Sequence, residues 1–537
     1  MNKNASYIVV VIVLALCVLL AQTPTCARPS GDASQDPDGI LVIATNWDPS
    51  TASGAQFCGG VSPYGTNIYE PLVFIDNNMN IKPGLAESWE RVDDYTWRFY
   101  LKEDVKFHDG TTFDAEAVKF NVDKWLNDPV FTTVIGTRLC ILSKDQVEVV
   151  DDYTVDITTT KPLGCLPGRL SNPGLVMVSP DMDDYGMPSG TGPFKFVEMI
   201  PMQTLKVVEN IQYWSDSPKL EELTIKTILD PSTKVMALEA GEVDLIYGVP
   251  LSEVSSLDAN PDIQVFKKMV PKTTLLRVNA KNVPLTDVRV RKAINYAINK
   301  EDIVDYILEG IGEPAKSFVS PLISWSADDE LDCYPYNPAK AEEYLVEAGW
   351  ADLDGDGYLD KDGETLKIGL TYVNVPGGCV GFPPFCEALA EAIQDQVKDV
   401  GIKVELIPIE PGMYWPTLMS EDFDMLMDYW SPWDGDASSL ISDVFHSESG
   451  LGLGVNLTAA TQALVDELID EALATSDPDI IDENYREVQK IVIDEEAAWV
   501  PLVYEYEIVA AKKSVKGFEI HPLTAWGITM KDVYVEG

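Results

Sequence analysis

Thr96-Trp97-Arg98-Phe99-Tyr100-Leu101, followed by His108-Asp109-Gly110 and then Asp114-Ala115-Glu116-Ala117-Val118, places three structural signals in one short span. Trp97, Phe99 and Leu101 occupy every second position, the period of a half-buried strand. His108-Asp109-Gly110 reads as a turn, and Asp114 stands where an N-cap is wanted, ahead of Ala115, Val118, Phe120 and Val122. Working outward, residues 147–158 alternate around a turn at Asp151-Asp152, and 41–44 and 223–228 read as strands. Ser232 opens a helix that runs to Glu239 and stops at Gly241. Helices over 288–308, 338–348, 384–400 and 464–474 dominate the second half. Interleaving of this kind predicts a layered α/β fold, and fits neither a helical bundle nor an all-β sandwich.

With 537 residues, the chain is long enough for about three domain-sized units. Its 87 acidic against 39 basic residues give a formal charge of -48, distributed along the whole length. Phosphate backbones need a basic face, so nucleic acid is excluded as the natural partner. One lysine, Lys3, precedes an uncharged apolar run over 7–21, short for a spanning helix and suited to the core of a secretory signal. We therefore expect a signal peptide or N-terminal anchor over 1–27 and a flexible tether over 28–39, with the rest exported. Of the 8 cysteines, Cys17 and Cys26 fall in the leader, leaving an even number for an oxidising compartment. Cys379 with Cys386 and Cys140 with Cys165 are the suggested disulfides, with Cys58 and Cys333 left over.

Asp352, Asp354, Asp356 and Asp360 follow the oxygen-ligand spacing of a calcium loop, with Gly357 near its bend. At the twelfth position Gly363 replaces the bidentate glutamate, and Glu364 lies one place late. A structural calcium site and a plain acidic turn are both open on this pattern.

A series of motifs in fixed order carries a resemblance. Tyr69-Glu70-Pro71-Leu72, Pro83-Gly84-Leu85-Ala86-Glu87-Ser88-Trp89, Val105-Lys106-Phe107-His108-Asp109-Gly110, Gly190-Thr191-Gly192-Pro193-Phe194, Asn210 with Tyr213-Trp214, and Val288-Arg289-Val290-Arg291-Lys292-Ala293 occur in turn. From about residue 41 to its C-terminus the chain resembles the large solute-binding proteins that deliver peptides, nickel chelates and similar solutes to ABC importers. The resemblance implies a two-lobed α/β receptor of the periplasmic-binding-protein kind, with a ligand cleft between the lobes. Lobe I would combine 40–68, 181–275 and 497–537, with 69–180 as an appended domain, and lobe II would be 276–496. It implies a monomer that works with permease and ATPase subunits, needs no cofactor, and carries a small-molecule, metal-chelate or peptide ligand. His108, Trp89, Trp97, Phe107 and Trp214 have a plainer reading as turn and core residues.

The solute class rests on Asp428-Tyr429-Trp430-Ser431-Pro432-Trp433-Asp434-Gly435-Asp436. In peptide-binding relatives an aspartate near the place of Trp433 pairs with the peptide amine; here Asp434 takes that job only if the alignment slips by one. The arrangement is also similar to the nickel-binding branch, whose histidine corresponds to His446, one of 3 in the chain. Such a site would bind a nickel chelate as ligand, a small chelator filling the remaining coordination positions. Arg138 and Arg169 are candidate partners for a ligand carboxylate, with ordinary ion pairing as the alternative for each. Trp430, Trp433, Tyr414 and Trp47 are candidate cleft aromatics. A peptide receptor without metal and a surface sensor or chaperone on the same lobes are the other readings. A secreted hydrolase lacks its signals: the chain has no Gly-x-Ser-x-Gly elbow and no His-Glu-x-x-His helix, and an enzyme is not expected.

Overall fold

The structure is a computed structural model, which describes residues 39–46, 65–127, 139–181, 188–332, 334–375, 384–432, 434–449, 457–523 and 529–536. The leader, the tether up to residue 38, Trp47, Cys58, Arg138, Cys333, Cys379 and Trp433 lie outside the described residues.

A large mixed sheet organises the compact unit from Asp38 to Glu536. Its main strands are β1 (Ile40–Thr45), β2 (Phe194–Ile200), β3 (Thr204–Glu209), β4 (Glu222–Thr227), β5 (Leu245–Tyr247), β6 (Ile263–Val278), β7 (Lys367–Val373), β8 (Lys403–Ile409), β9 (Met425–Trp430) and β10 (Trp499–Lys512). They lie in the order β2-β3-β4-β1-β5-β10-β6-β9-β7-β8. The strand period sorts the side chains: Ile43, Leu245 and Ala511 enter one apolar core, and their neighbours Ala44, Ile246 and Ala510 enter the core on the opposite face.

β6 and β10 are the long strands, and they join two halves of the sheet. Residues 263–269 of β6 pair with 506–512 of β10, beside β5. The β6–β10 register shifts between Met269 and Thr273 and again between Thr274 and Leu275, and from Thr273 onward β6 pairs on its other side with β9. Each bulge locally breaks the ladder and bends the strand. At the crossing, Lys272 Nζ donates to Glu505 (2.8 Å) and lies 4.5 Å from the Tyr429 ring.

Residues 72–177 contain a second sheet of four strands, in which Thr96–Leu101 lies between Ala86–Arg91 and Thr154–Thr158. The alternation read from the sequence holds, with Trp97, Phe99 and Leu101 buried. Asp114 accepts from the Ala117 N–H (2.9 Å) and caps Ala115–Leu126, whose Val118, Val122 and Trp125 pack on Phe99, Val155 and Ile157. Farther on, parallel β7 and β8 are linked through the helix Cys386–Lys398, which buries Leu389, Ala390, Ile393 and Val397 at helical spacing.

Two expectations need correction. The helix expected over 288–308 is broken: Val288–Ala297 ends at an extended Ile298, and the Asn299 side chain accepts from the Asp302 N–H (3.2 Å), starting a new turn that continues as a π-helix over Ile303–Ile307. Cys140 and Cys165 do not form a disulfide with one another. Cys165 instead places its sulfur 3.9 Å from Ser438 Oγ, across the seam described next.

Candidate functional site

The segment around the short helix Leu166–Arg169 packs against 434–443, the turn and helix that follow β9. Glycine makes the approach possible. A Cβ on Gly164 would lie 1.6 Å from the Thr475 carbonyl oxygen, and one on Gly435 would lie 2.0 Å from Ile75 Cγ2. Gly164 N–H donates to Leu473 O (2.7 Å), Gly435 N–H donates to Ser171 Oγ (2.8 Å), and Lys161 pairs with Glu448 (2.8 Å).

Arg169 is buried at the centre of this seam. Its Nε and Nη2 donate to Ser438 Oγ (3.2 and 2.9 Å), and Nη2 also donates to Ser442 Oγ (3.2 Å). Burial opposes its charge, but Cys165, Asp436, Asp434 and Asp443 outweigh that and hold the guanidinium firmly protonated. Asp434 and Asp443 are buried as well. Asp434 accepts from the Ala437 N–H (3.1 Å) and Asp436 from the Ser438 N–H (3.1 Å), which bends the chain into the helix Ser439–Phe445. Burial raises the Asp436 carboxyl above the usual carboxylate range, against the pull of Arg169. Among these groups, three carboxylates face one guanidinium.

Beneath the seam lies a second ion pair. Arg277 on β6 donates through Nε to Asp428 on β9, and both are buried. Asp428 Oδ1 also accepts from Tyr414 OH (2.5 Å) and from the Tyr429 N–H (2.8 Å). The guanidinium carbon lies 4.8 Å from the Trp430 ring and 4.5 Å from that of Trp499, within cation–π range. Trp430 in turn donates its indole N–H to Leu440 O (3.1 Å), linking this layer to the helix that touches Arg169. Burial, reinforced by Asp428, pushes the Tyr414 phenol well above its ordinary value, so it stays a hydrogen-bond donor.

Of the residues singled out from the sequence, Arg169, Tyr414, Trp430 and Asp434 thus fall in these two connected layers. Trp415, next to Tyr414, is 43% exposed. His446 ends the helix Ser439–Phe445; its Nε2 lies 3.3 Å from Asp470 Oδ1 and its Nδ1 accepts from the Glu448 N–H (3.1 Å). Nδ1 is thus engaged within the chain, whereas the buried Nε2 has no hydrogen-bond partner among the described residues. Asp352, Asp354 and Asp356 bring carboxylate oxygens within 4.8 Å of one another on an exposed loop. Asp360 instead accepts from Thr365 Oγ1 (3.1 Å) and joins the Ala351 bridge. Sequence reasoning missed Arg277 and Trp499 and gave Asp428 no role of its own; the available signal was one arginine inside the apolar run Leu275-Leu276-Arg277-Val278 and one aspartate inside Met425-Leu426-Met427-Asp428.

Residues 80–451 match the family model described as bacterial extracellular solute-binding proteins, family 5 Middle. The glutathione-binding protein GsiB of Salmonella paratyphi A is 28% identical over 509 residues, covering 90% of this chain and 94% of the relative. Among solved structures, NikA from Brucella suis in complex with Fe(III)-EDTA aligns with a TM-score of 0.81 at 28% identity, over 93% of this chain and all of the other. The oligopeptide-binding protein AppA from Bacillus subtilis, in complex with a nonapeptide, aligns at 0.74 and 25% identity, over 94% of this chain and 100% of that one.

Proposed function

The chain belongs to the bacterial extracellular solute-binding proteins of family 5, and from that premise we propose that it captures a small peptide-like solute between two lobes and delivers it to the permease of an ABC importer. The observation that carries this reading is the seam itself. Buried polar and charged groups from 164–172 and 434–443 meet there, while the sheet crosses between its halves on two strands with slipped register. Strands with interrupted ladders serve as the hinge, and closing them encloses the solute. Asp434, Asp436 and Asp443 outnumber Arg169 in this layer, so the site is suited to an ammonium group brought by the solute. GsiB, by its name a glutathione-binding protein, and AppA with its nonapeptide support the peptide-like class.

A metal chelate is the second reading, favoured by the likeness to NikA holding Fe(III)-EDTA. His446 would meet a metal through Nε2, which is buried without a hydrogen-bond partner among the described residues and lies 3.3 Å from Asp470 Oδ1. In either case the protein acts as a monomer outside the cytoplasm, exported and tethered through the apolar run over 7–21, and performs no chemistry on its cargo. No helix among the described residues is long and apolar enough to cross a membrane. Native mass spectrometry of gently purified protein, with elemental analysis of the same sample, separates the two solutes. Peptide masses without metal are expected. Nickel together with a small chelator, lost in His446→Ala, would establish the second reading instead.

A further inference from the structure

Arg277 has more donor capacity than its surroundings use. It is 1% exposed, and Nε is its one nitrogen with a hydrogen-bond partner; Nη1 and Nη2 are buried and have none among the described residues. Asp428 already accepts from Arg277 Nε, Tyr414 OH and the Tyr429 N–H. The aspartate therefore fixes the guanidinium plane, and Trp430 and Trp499 stand close against it, but no acceptor among the described residues meets its terminal edge. The indole N–H of Trp499 and the hydroxyl of Thr273, on the same sheet face, are likewise buried without a partner among the described residues. Buried guanidinium N–H groups without an acceptor are costly, and all the unmatched groups here can donate.

Resting on the reading of the protein as a solute receptor, we propose that Arg277 receives a carboxylate of the captured solute on its Nη1/Nη2 edge. A carboxylate presents two acceptor oxygens in the geometry of that edge, and a stacked guanidinium holds its orientation without losing side-chain freedom on binding. The acid-rich seam around Asp434 and the donor-rich layer around Arg277 are joined through Trp430 and Leu440. Together they suit a zwitterion, amine toward the first and carboxylate toward the second. Because Arg277 is 1% exposed, the carboxylate reaches it only when the packing around it opens.

The test uses the full chain and the solute it carries from purification, with glutathione as a second, defined probe. Solute released from the wild type is re-bound before and after methyl esterification of its carboxylates, and occupancy is read by native mass spectrometry; glutathione and its diethyl ester are titrated in parallel. Esterification is expected to weaken binding about a hundredfold, and Arg277→Met to remove the discrimination between acid and ester. Since Arg277→Met strands Asp428, the double variant Arg277→Met with Asp428→Asn is measured beside it, and circular dichroism establishes that both fold. Equal binding of acid and ester by the wild type overturns the role of Arg277 while leaving solute capture intact. A wild type that carries no solute and binds neither probe overturns the receptor reading, and this inference with it.

Discussion

Glu70 shows what the ordered motifs are for. Its carboxylate accepts from Tyr213 OH (2.5 Å), Trp214 Nε1 (2.7 Å) and Thr191 Oγ1 (2.7 Å), so three of the motifs meet at one half-buried acid. His108 ties in a fourth by bonding Gly192 O (2.9 Å), which also accepts from Asn210 (3.0 Å). Glu70→Ala would leave buried Thr191 and half-buried Tyr213 and Trp214 without their acceptor, and we expect a loss of about 2 kcal/mol or more in urea unfolding with solute binding retained in the folded fraction. Burial holds the His108 imidazole down at about 4 in the folded state, below its usual 6.5, and burial lowers His521 also. Between those values the unfolded chain takes up a proton that the folded chain refuses. Stability should therefore be full above pH 6.5 and fall as the pH drops toward 4, by roughly 3 kcal/mol for His108. Urea unfolding across that range checks it, and His108→Gln should flatten the slope. The turn role of His108 was legible because the motif is local. Arg277 was not, since its partner Asp428 lies 151 residues away and nothing near Arg277 in sequence announces it.

Capped helices were the most readable elements because a cap and its helix are neighbours in sequence. Asp114→Ala should cost about 1 kcal/mol, seen as a lower urea midpoint with an unchanged slope. The break at Asn299 shows the limit of the same reasoning. Apolar periodicity continues through 288–308, yet one side chain able to cap its own backbone ends the first helix and starts the next. Strand order was less accessible still. β1 is flanked by β4 and β5, and β6 by β9 and β10, so each pairing joins segments far apart in the chain and depends on tertiary contacts that no local window contains. At this scale the seam offers a further prediction. Gly164→Val would put a branched side chain where the Thr475 carbonyl now sits, so the protein should fold but not close fully. Small-angle scattering with solute should show a larger radius of gyration than for the wild type, and affinity should fall at least about tenfold.

For the whole molecule, a formal charge of -48 means that acidic groups repel one another over the entire surface. Raising the salt concentration from about 0.01 M to about 0.5 M shortens the reach of that repulsion several-fold, and the melting temperature should rise with it. The sequence sufficed to exclude nucleic acid and to expect an α/β architecture, because charge and periodicity are sums over many residues. Which buried polar groups face each other across the seam depends on how distant segments meet, and that information exists only in the folded chain. Sheet order also fixes a timetable for biosynthesis. β10, made among the last residues, lies in the interior of the large sheet between β5 and β6. Until the ribosome has finished it, both neighbours keep raw edges and neither half of the sheet can be completed. The large sheet therefore stays divided for nearly the whole of synthesis, and its halves are joined once the final segment has been made.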